Sequence, residues 1–336
     1  MSETIKPLSA DDLEAVIAID ATIAGKSRRG FFEKRLAAAL KDPGDYVYVG
    51  LHEGCALIGY VLAKLVAGEF GQPDAKASID AIGVAPDHQG RGAGHQLLQA
   101  VEDILTHKGV GEITSQVAWS DPVLPGFFGH IGFALAPRII LTRNTSAILQ
   151  DDETDNDDDE VLEIDHSAPE GDDPTALSHD RVLVRSMAEA DLAAIIKIDR
   201  KITGNDRSAY FQRKQQEVLH QSGVRVSLIA ELEGFVVGFI MARVDFGEFG
   251  RTSSEAVMDA LAVDPDYQGQ GVGQALMAKL MANLAILQVD NIRTEVNWND
   301  TGLIAYLDAT GFAPAQTLVL NQKLIYIGKK RYSAIG

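Results

Sequence analysis

Apolar and polar positions fall into blocks along this chain, and the period changes from block to block. Thr4 to Leu8 predicts a first strand. Ser9 with Asp12 three residues on resembles a capping box, and the helix it opens places Leu13, Val16 and Ile17 on one face. Ile19, Asp20 and Gly25 lead to a second helix around Phe31 to Leu36, with Arg28 at its entry. Tyr46 to Leu51 and Ala56 to Val66 predict a hairpin about Glu53 and Gly54. The polar run Gly68-Glu69-Phe70-Gly71 follows, then a strand from Ser78 to Val84, a glycine-rich loop and a helix carrying Leu97, Leu98 and Val101. Glu112 to Trp119 is strand-like, a short helix is expected before Gly132-Phe133, and Arg138 to Thr142 is expected to close the sheet. Strand, two helices, three strands, helix, strand, helix, strand describes a mixed α/β sheet.

The pattern then repeats. Gln89 and Gln268 lie 179 residues apart, and the same offset relates Ile19-Asp20 to Ile198-Asp199, Gly25 to Gly204, Arg28 to Arg207 and Phe32 to Phe211. It also relates Gly68-Glu69-Phe70-Gly71 to Gly247-Glu248-Phe249-Gly250, Trp119 to Trp298, and Gly132-Phe133 to Gly311-Phe312. A constant offset over so many anchors means an internal duplication, two copies of one fold and not a solenoid array. The expected division is 1–148, a linker over 149–180, and 181–336, each copy long enough to bury its own core.

Charge sharpens this division. The formal net charge is −18, but residues 151 to 180 hold fourteen Asp or Glu and no Lys or Arg, which leaves only −4 for the rest. Like charges repel along that segment and little apolar surface offsets the entropy of ordering it, so it is expected to be an extended tether, or else a docking tail for a basic partner. Neither copy carries the basic excess that nucleic acid or an anionic membrane would select. Polar residues interrupt the first twenty positions and no apolar run is long enough to span a bilayer, so a cytoplasmic protein is expected. Cys55 stands alone, which excludes an intrachain disulfide and a cysteine-rich metal site; it is expected as a small core residue and not a nucleophile. No metal is expected.

The candidate chemistry lies in the glycine-rich loops. In the second copy, Met258 to Val263 is a strand, and Gln268-Gly269-Gln270-Gly271-Val272-Gly273-Gln274 leads from it into an apolar helix. Alternate glycines let the main chain approach a ligand, and the first N–H groups of the helix point outward at its positive end, a setting for phosphate or pyrophosphate. The spacing is neither Gly-x-Gly-x-x-Gly nor a Walker A loop. The first copy has Ile82-Gly83-Val84, then Gln89-Gly90-Arg91-Gly92-Ala93-Gly94 in the same setting.

Gln-x-x-Gly-x-Gly after an apolar strand resembles the acetyl-CoA pyrophosphate loop of the GNAT superfamily of N-acetyltransferases, and the resemblance covers nearly all of each repeat. It implies two tandem GNAT (acyl-CoA N-acyltransferase) domains, with acetyl-CoA as donor and an amine as acceptor. It also implies that the strand before the loop splays from its neighbour, and that the pantetheine arm pairs with main-chain groups at Leu261, Ala262 and Val263. The family's acid is a tyrosine on the last short helix, here Tyr306, and Asn299 is its expected partner in holding the cofactor arm. In the first copy Phe127 stands where Tyr306 does, and a phenyl ring cannot donate a proton. That copy is expected to bind CoA without catalysing, or to turn over slowly. Pro122 and Pro125 near the start of its last helix are tolerable there.

An amine must lose a proton before it attacks a thioester, the oxyanion needs a donor, and the departing thiolate benefits from an acid. Candidates for the base are Asp259, on a strand face that alternation assigns to Leu261 and Val263 as well, and Glu248 in the Gly-Glu-Phe-Gly run. Arg28 either binds an acceptor carboxylate or pairs with Asp20 or a helix end, and a small acceptor would favour a closed pocket with a fixed counter-charge such as Arg207. The expected activity is N-acetylation of a small molecule or a protein lysine by direct attack in a ternary complex. The alternative is a non-catalytic acyl-CoA sensor. A first copy standing in for the partner of a GNAT dimer would give a monomer; otherwise a homodimer is expected.

Overall fold

The structure, a computed structural model, describes residues 3–67, 75–145, 182–221, 224–246 and 254–324. The acidic segment 149–180 and the two Gly-Glu-Phe-Gly runs, with Glu69 and Glu248, lie outside the described residues.

Among the described residues fourteen strands form two mixed sheets of seven. The first half contributes β1 (Glu3–Pro7), β2 (Tyr46–Glu53), β3 (Ala56–Ala67), β4 (Ala75–Val84), β5 (Glu112–Ala118), β6 (Ala134–Leu135) and β7 (Arg138–Asn144). The second contributes β8 (Leu183–Ser186), β9 (Leu228–Leu232), β10 (Phe235–Phe246), β11 (Ser254–Val263), β12 (Asn291–Asn297), β13 (Ala313–Pro314) and β14 (Thr317–Lys323). Helices α1 (Leu13–Ala24) and α2 (Arg29–Lys41) recur as α5 (Leu192–Thr203) and α6 (Ser208–Gln216). Helices α3 (Ala93–His107) and α4 (Leu124–His130) recur as α7 (Val272–Ile286) and α8 (Thr301–Ala309).

The first sheet runs β1-β2-β3-β4-β5-β14-β6 and the second β13-β7-β12-β11-β10-β9-β8. The halves therefore exchange their last long strands. β14 pairs antiparallel with β5 from Thr317–Ala118 to Lys323–Glu112, and β7 pairs antiparallel with β12 from Arg138–Asn297 to Asn144–Asn291. The expectation that Arg138 to Thr142 closes its own sheet is thereby corrected. Ile139-Ile140-Leu141 and Leu318-Val319-Leu320 carry the same apolar run, so either sheet accepts either strand, and Ala136, Ile140 and Val319 pack together where they cross.

Each sheet is covered on both faces. In the second, α7 and α8 bury Leu276, Leu280, Leu284 and Leu307 against Ala256, Met258, Ile292 and Val296. On the opposite face, Ile195, Ile198, Tyr210 and Phe211 from α5 and α6 pack on Phe239 and Met241. Removing such side chains from water is the main stabilising term, about 1.5–3 kcal/mol for each fully buried residue. No helix among the described residues is long and apolar enough to cross a membrane.

The β10–β11 register slips between Met241–Ala260 and Ala242–Met258, leaving Asp259 as an extra residue; β3–β4 slips identically, with Asp80 between Leu62–Ala81 and Ala63–Ile79. A bulge of this kind re-aims a side chain. Leu261 and Val263 pack toward α7, whereas Asp259 meets Lys214 of α6 on the opposite face, so the shared face expected from simple alternation is lost. Cys55 is exposed, not in the core, because Gly54 turns the β2–β3 hairpin with φ +64° immediately before it.

Candidate active site in the second half

Beyond Glu255–Val257, which pair in parallel with Asn291–Arg293, strands β11 and β12 part, and Met258 to Val263 have no β12 partner among the described residues. The fork is pinned where it opens: Thr294 Oγ1 donates to the Met258 carbonyl at 2.9 Å. Ser115 Oγ does the same to Ile79 at 3.2 Å in the first half, where β4 and β5 part after Ile79–Ser115. Leu261, Ala262 and Val263, and likewise Ile82 and Val84, are half-buried along these open edges, while Gly83 is buried under Tyr60.

Each fork leads to a glycine loop. Asp264 caps a short turn, accepting from the Asp266 N–H at 3.0 Å, and Lys201 at the end of α5 donates to Asp264 Oδ1 and Asp266 Oδ2, both at 2.5 Å. Gly269 and Gly271 take φ of +76° and +78°, and Gly90 and Gly92 take +73° and +84°, conformations that favour glycine. Space is open where a Cβ would stand at Gly269, Gly90 and Gly92. Gly271 and Gly92 are the N-caps of α7 and α3, so the first N–H groups of each helix, at Val272, Gly273 and Gln274 and at Ala93 and Gly94, have no intrahelical acceptor. Gln268, Gly269, Gln270 and Gln274 are exposed, as are Gln89, Gly90 and Arg91, and Gln89 Nε2 ties its loop to the Val84 carbonyl at 2.9 Å.

The third glycine has a different cause. A Cβ at Gly273 would lie 3.2 Å from the Tyr306 hydroxyl, and one at Gly94 would lie 3.0 Å from the Phe127 ring. Glycine here admits the last helix. Tyr306 and Phe127 thus occupy equivalent places beside equivalent loops. The Tyr306 hydroxyl is buried with no hydrogen-bond partner among the described residues. Burial pushes its pKa up to about 12, with the charge of Arg143 pulling the other way. Arg143 belongs to β7, and a Cβ at Gly311 would lie 3.2 Å from its Nε, so the first half supplies a cation beside α8 of the second. Asn299 is exposed in the turn before α8, next to Asp300, whose carboxylate caps the helix at Leu303 N, 3.1 Å away. In the first half Asp121 caps α4 at Val123 N and Leu124 N, both 2.8 Å, with Pro125 in the first turn where it is tolerated.

Asp259 is 4% exposed, with Lys214 Nζ at 3.0 Å and Arg243 Nε at 3.2 Å. Lys214 Nζ also donates to Glu217 at 3.0 Å, in the turn of π-helix Glu217–Gln221 that continues α6. This cluster escaped sequence reasoning, although a signal was present: Arg35 and Lys214, and Lys64 and Arg243, keep cations at the 179-residue offset. Arg28 binds Asp20 through Nε at 2.9 Å and through Nη2, with Tyr60 donating to the same carboxylate at 2.8 Å. Arg207 faces Asp199 at 3.3 Å. Of the two readings of Arg28, the structure has the pairing with Asp20, and Arg207 is paired with Asp199 in the same way.

The family model of the acetyltransferase (GNAT) family matches residues 14–133 and again 192–312. Over 61 residues the chain is 39% identical to the ribosomal protein bS18-alanine N-acetyltransferase of Escherichia coli strain K12, a match that spans 18% of this chain and 41% of that relative's length. Among solved structures, a tandem GNAT protein from the clavulanic acid biosynthesis pathway superposes with a TM-score of 0.63 at 15% identity, covering 96% of this chain and 99% of that one. A GCN5-related N-acetyltransferase from Sphaerobacter thermophilus gives 0.59 at 14% identity, with 96% of each chain covered. A glucosamine N-acetyltransferase region in a fungal multi-domain GH3 beta-N-acetylglucosaminidase gives 0.63 at 14%, over 95% of this chain and 38% of that one. At these identities the structural likeness is one of fold; the doubled family match decides membership. The chain belongs to the acetyltransferase (GNAT) family, in its tandem form.

Proposed function

We propose that the second half acetylates a primary amine, of a small molecule or of a protein lysine, by direct attack in a ternary complex, and that the first half binds acetyl-CoA without catalysing. The observation that carries this reading is the internal comparison of Tyr306 with Phe127: two equivalent loops and forks, only one with a proton donor beside it. Acetyl-CoA, when bound, supplies the acetyl group as a thioester. The open space at Gly269, Gly90 and Gly92 and the outward N–H groups of α7 and α3 fit a pyrophosphate. The β12-side edge of Leu261–Val263, unpaired among the described residues, fits an arm that pairs with main chain, and in this reading Asn299 is a further partner for that arm.

Tyr306 then holds the proton that the thiolate needs, and its raised pKa keeps that proton in place at neutral pH. Of the two candidate carboxylates, Asp259 is engaged by two cations, which weakens it as a base. In this reading Glu248 takes the ammonium proton directly or through water, and Asp259 anchors Lys214 and Arg243 on the acceptor side. The relatives' substrates, an alanine of ribosomal protein bS18 and glucosamine, are both primary amines, which agrees with this acceptor class.

The test is calorimetric titration of acetyl-CoA into the full chain with Gly271→Glu and Gly92→Glu variants alongside. Two sites in wild type, one lost in each variant, are expected, and turnover of an amine panel should vanish with Gly271→Glu and survive Gly92→Glu. Absence of acetyl-CoA binding at either loop would overturn the reading.

A further inference from the structure

A polar cleft is lined by Asp42, Asp45 and Lys64 of the first half and by Arg213, Lys214 and Glu217 of the second. Lys64, on β3 of the first half, reaches across and donates to Glu217 Oε1 at 3.0 Å. Glu217 Oε2 receives Lys214 at 3.0 Å, and the same Lys214 ammonium stands 3.0 Å from Asp259 Oδ2. A continuous chain of alternating charge thus runs from the first half to the bulge of β11, at the mouth of the second half's fork. Arg243, the counterpart of Lys64 in the duplication, stays in its own half, 3.2 Å from Asp259 and 4.0 Å from Glu217.

The chain is one-sided. In the first half Arg35 stands 3.3 Å from Asp80, as Lys214 stands by Asp259, but Ala38 occupies the place of Glu217, so the carboxylate that receives Lys64 has no counterpart at that position. The two copies thus differ at this position, Ala38 in α2 against Glu217 in the π-turn after α6, and the Lys64 contact reaches the half that carries Tyr306. A stabilising clamp would explain contact between the halves; it would not explain why the clamped carboxylate is bonded to the lysine that holds Asp259. Lys214 is 2% exposed, so its ammonium is fixed by these carboxylates and not by water.

We propose that Lys64 is a positioning residue of the second half's site: acting through Glu217 and Lys214, it fixes Asp259 on the acceptor side of the fork, so that the active half is completed by a side chain of the other. This rests on the functional reading above. Burial alone would raise the Glu217 pKa, but Lys214, Lys64 and Arg243 together hold it well below the usual carboxylate range. The other charged groups facing the cleft are Asp42, Asp45 and Arg213.

The experiment compares wild type with Lys64→Met, Lys64→Arg, Glu217→Gln and the Lys64→Met/Glu217→Gln double variant, all as the full chain. Measured quantities are amine turnover against pH, acetyl-CoA affinity by calorimetry, and the Glu217 carboxyl titration by carbon-13 NMR. In Lys64→Met, kcat is expected to fall about tenfold or more with acetyl-CoA affinity unchanged. The Glu217 titration and the acid limb of the rate profile should both move to higher pH, because a cation has been removed. Lys64→Arg should restore the rate, and the double variant should be no worse than its more impaired single parent, since both act on one chain. If Lys64→Met fails to fold, the isosteric Glu217→Gln carries the same test. Unchanged kcat and pH profile in Lys64→Met with normal wild-type turnover, or additive losses in the double variant, would overturn this inference alone. A wild type that binds acetyl-CoA but acetylates no amine would overturn the functional reading and this inference with it.

Discussion

Gln116 and Glu295 occupy the same position in the two halves, and they are hydrogen-bonded to each other: Gln116 Nε2 donates to Glu295 Oε2 at 3.0 Å. The pseudo-twofold relationship between the halves therefore passes between one residue and its own duplicate. Around this pair the half-buried Arg138 bonds Glu295 Oε1 from β7, and Arg293 reaches Gln116 Oε1 at 3.3 Å, with Gln116, Arg293 and Glu295 all buried. Breaking a buried ion pair from one side costs about 3–5 kcal/mol, because the remaining charge is stranded. Glu295→Ala is accordingly expected to lower the melting temperature by about 6 °C or more, measured by calorimetry.

Exchange of β7 and β14 makes the contact between the halves independent of the segment that joins them. With a protease site inserted between residues 151 and 180 and then cut, the two fragments should co-elute in size-exclusion chromatography under native conditions and separate only in denaturant. Fragments that part on cleavage would contradict the strand pairing described above.

Tyr306 must be protonated to act as an acid, and its pKa is pushed up to about 12 by burial. Ionisation of this group should therefore cause no loss of kcat as pH rises from 7 to 10, whereas a tyrosine at its ordinary value would begin to fail there. Tyr306→Phe should reduce kcat by about 100-fold, the lower range for loss of a general acid, with acetyl-CoA affinity retained.

Gly273→Ala places a methyl 3.2 Å from the Tyr306 hydroxyl, tight enough that the ring must give way. The φ at Gly273 is not in the left-handed region, so the backbone tolerates alanine. Loss of turnover with little loss of acetyl-CoA affinity is expected. At Gly269, with φ +76° and open space, alanine should instead cost about 1–2 kcal/mol of stability by strain alone. Kinetics and denaturation measured on both variants separate the two causes.

Much of this was legible in the sequence for physical reasons. The constant offset revealed the duplication and set Phe127 in the place of Tyr306, and the alternate glycines at 269 and 271 marked a loop whose main chain a ligand can approach. The bulge at Asp259 was not legible, since an extra residue in a strand leaves no mark on an apolar run, and a one-residue slip turns a side chain to the other face. Nor was the strand exchange, because Ile139-Ile140-Leu141 and Leu318-Val319-Leu320 suit either sheet equally. The cluster around Glu217 joins residues far apart in the chain, and pairing over such distances becomes visible only once the two sheets are placed.

The strand exchange bears on how such a gene can change. Selection on Arg138 to Asn144 acts through the folding of the other half's sheet, whatever chemistry its own half retains. If the half with Phe127 in place of Tyr306 does not catalyse, as proposed, it still cannot be deleted, because deletion would also remove the strand that flanks β12. Retention of the first copy thus follows from topology as well as from any ligand it holds, and its crossing strand is constrained by a sheet that is not its own.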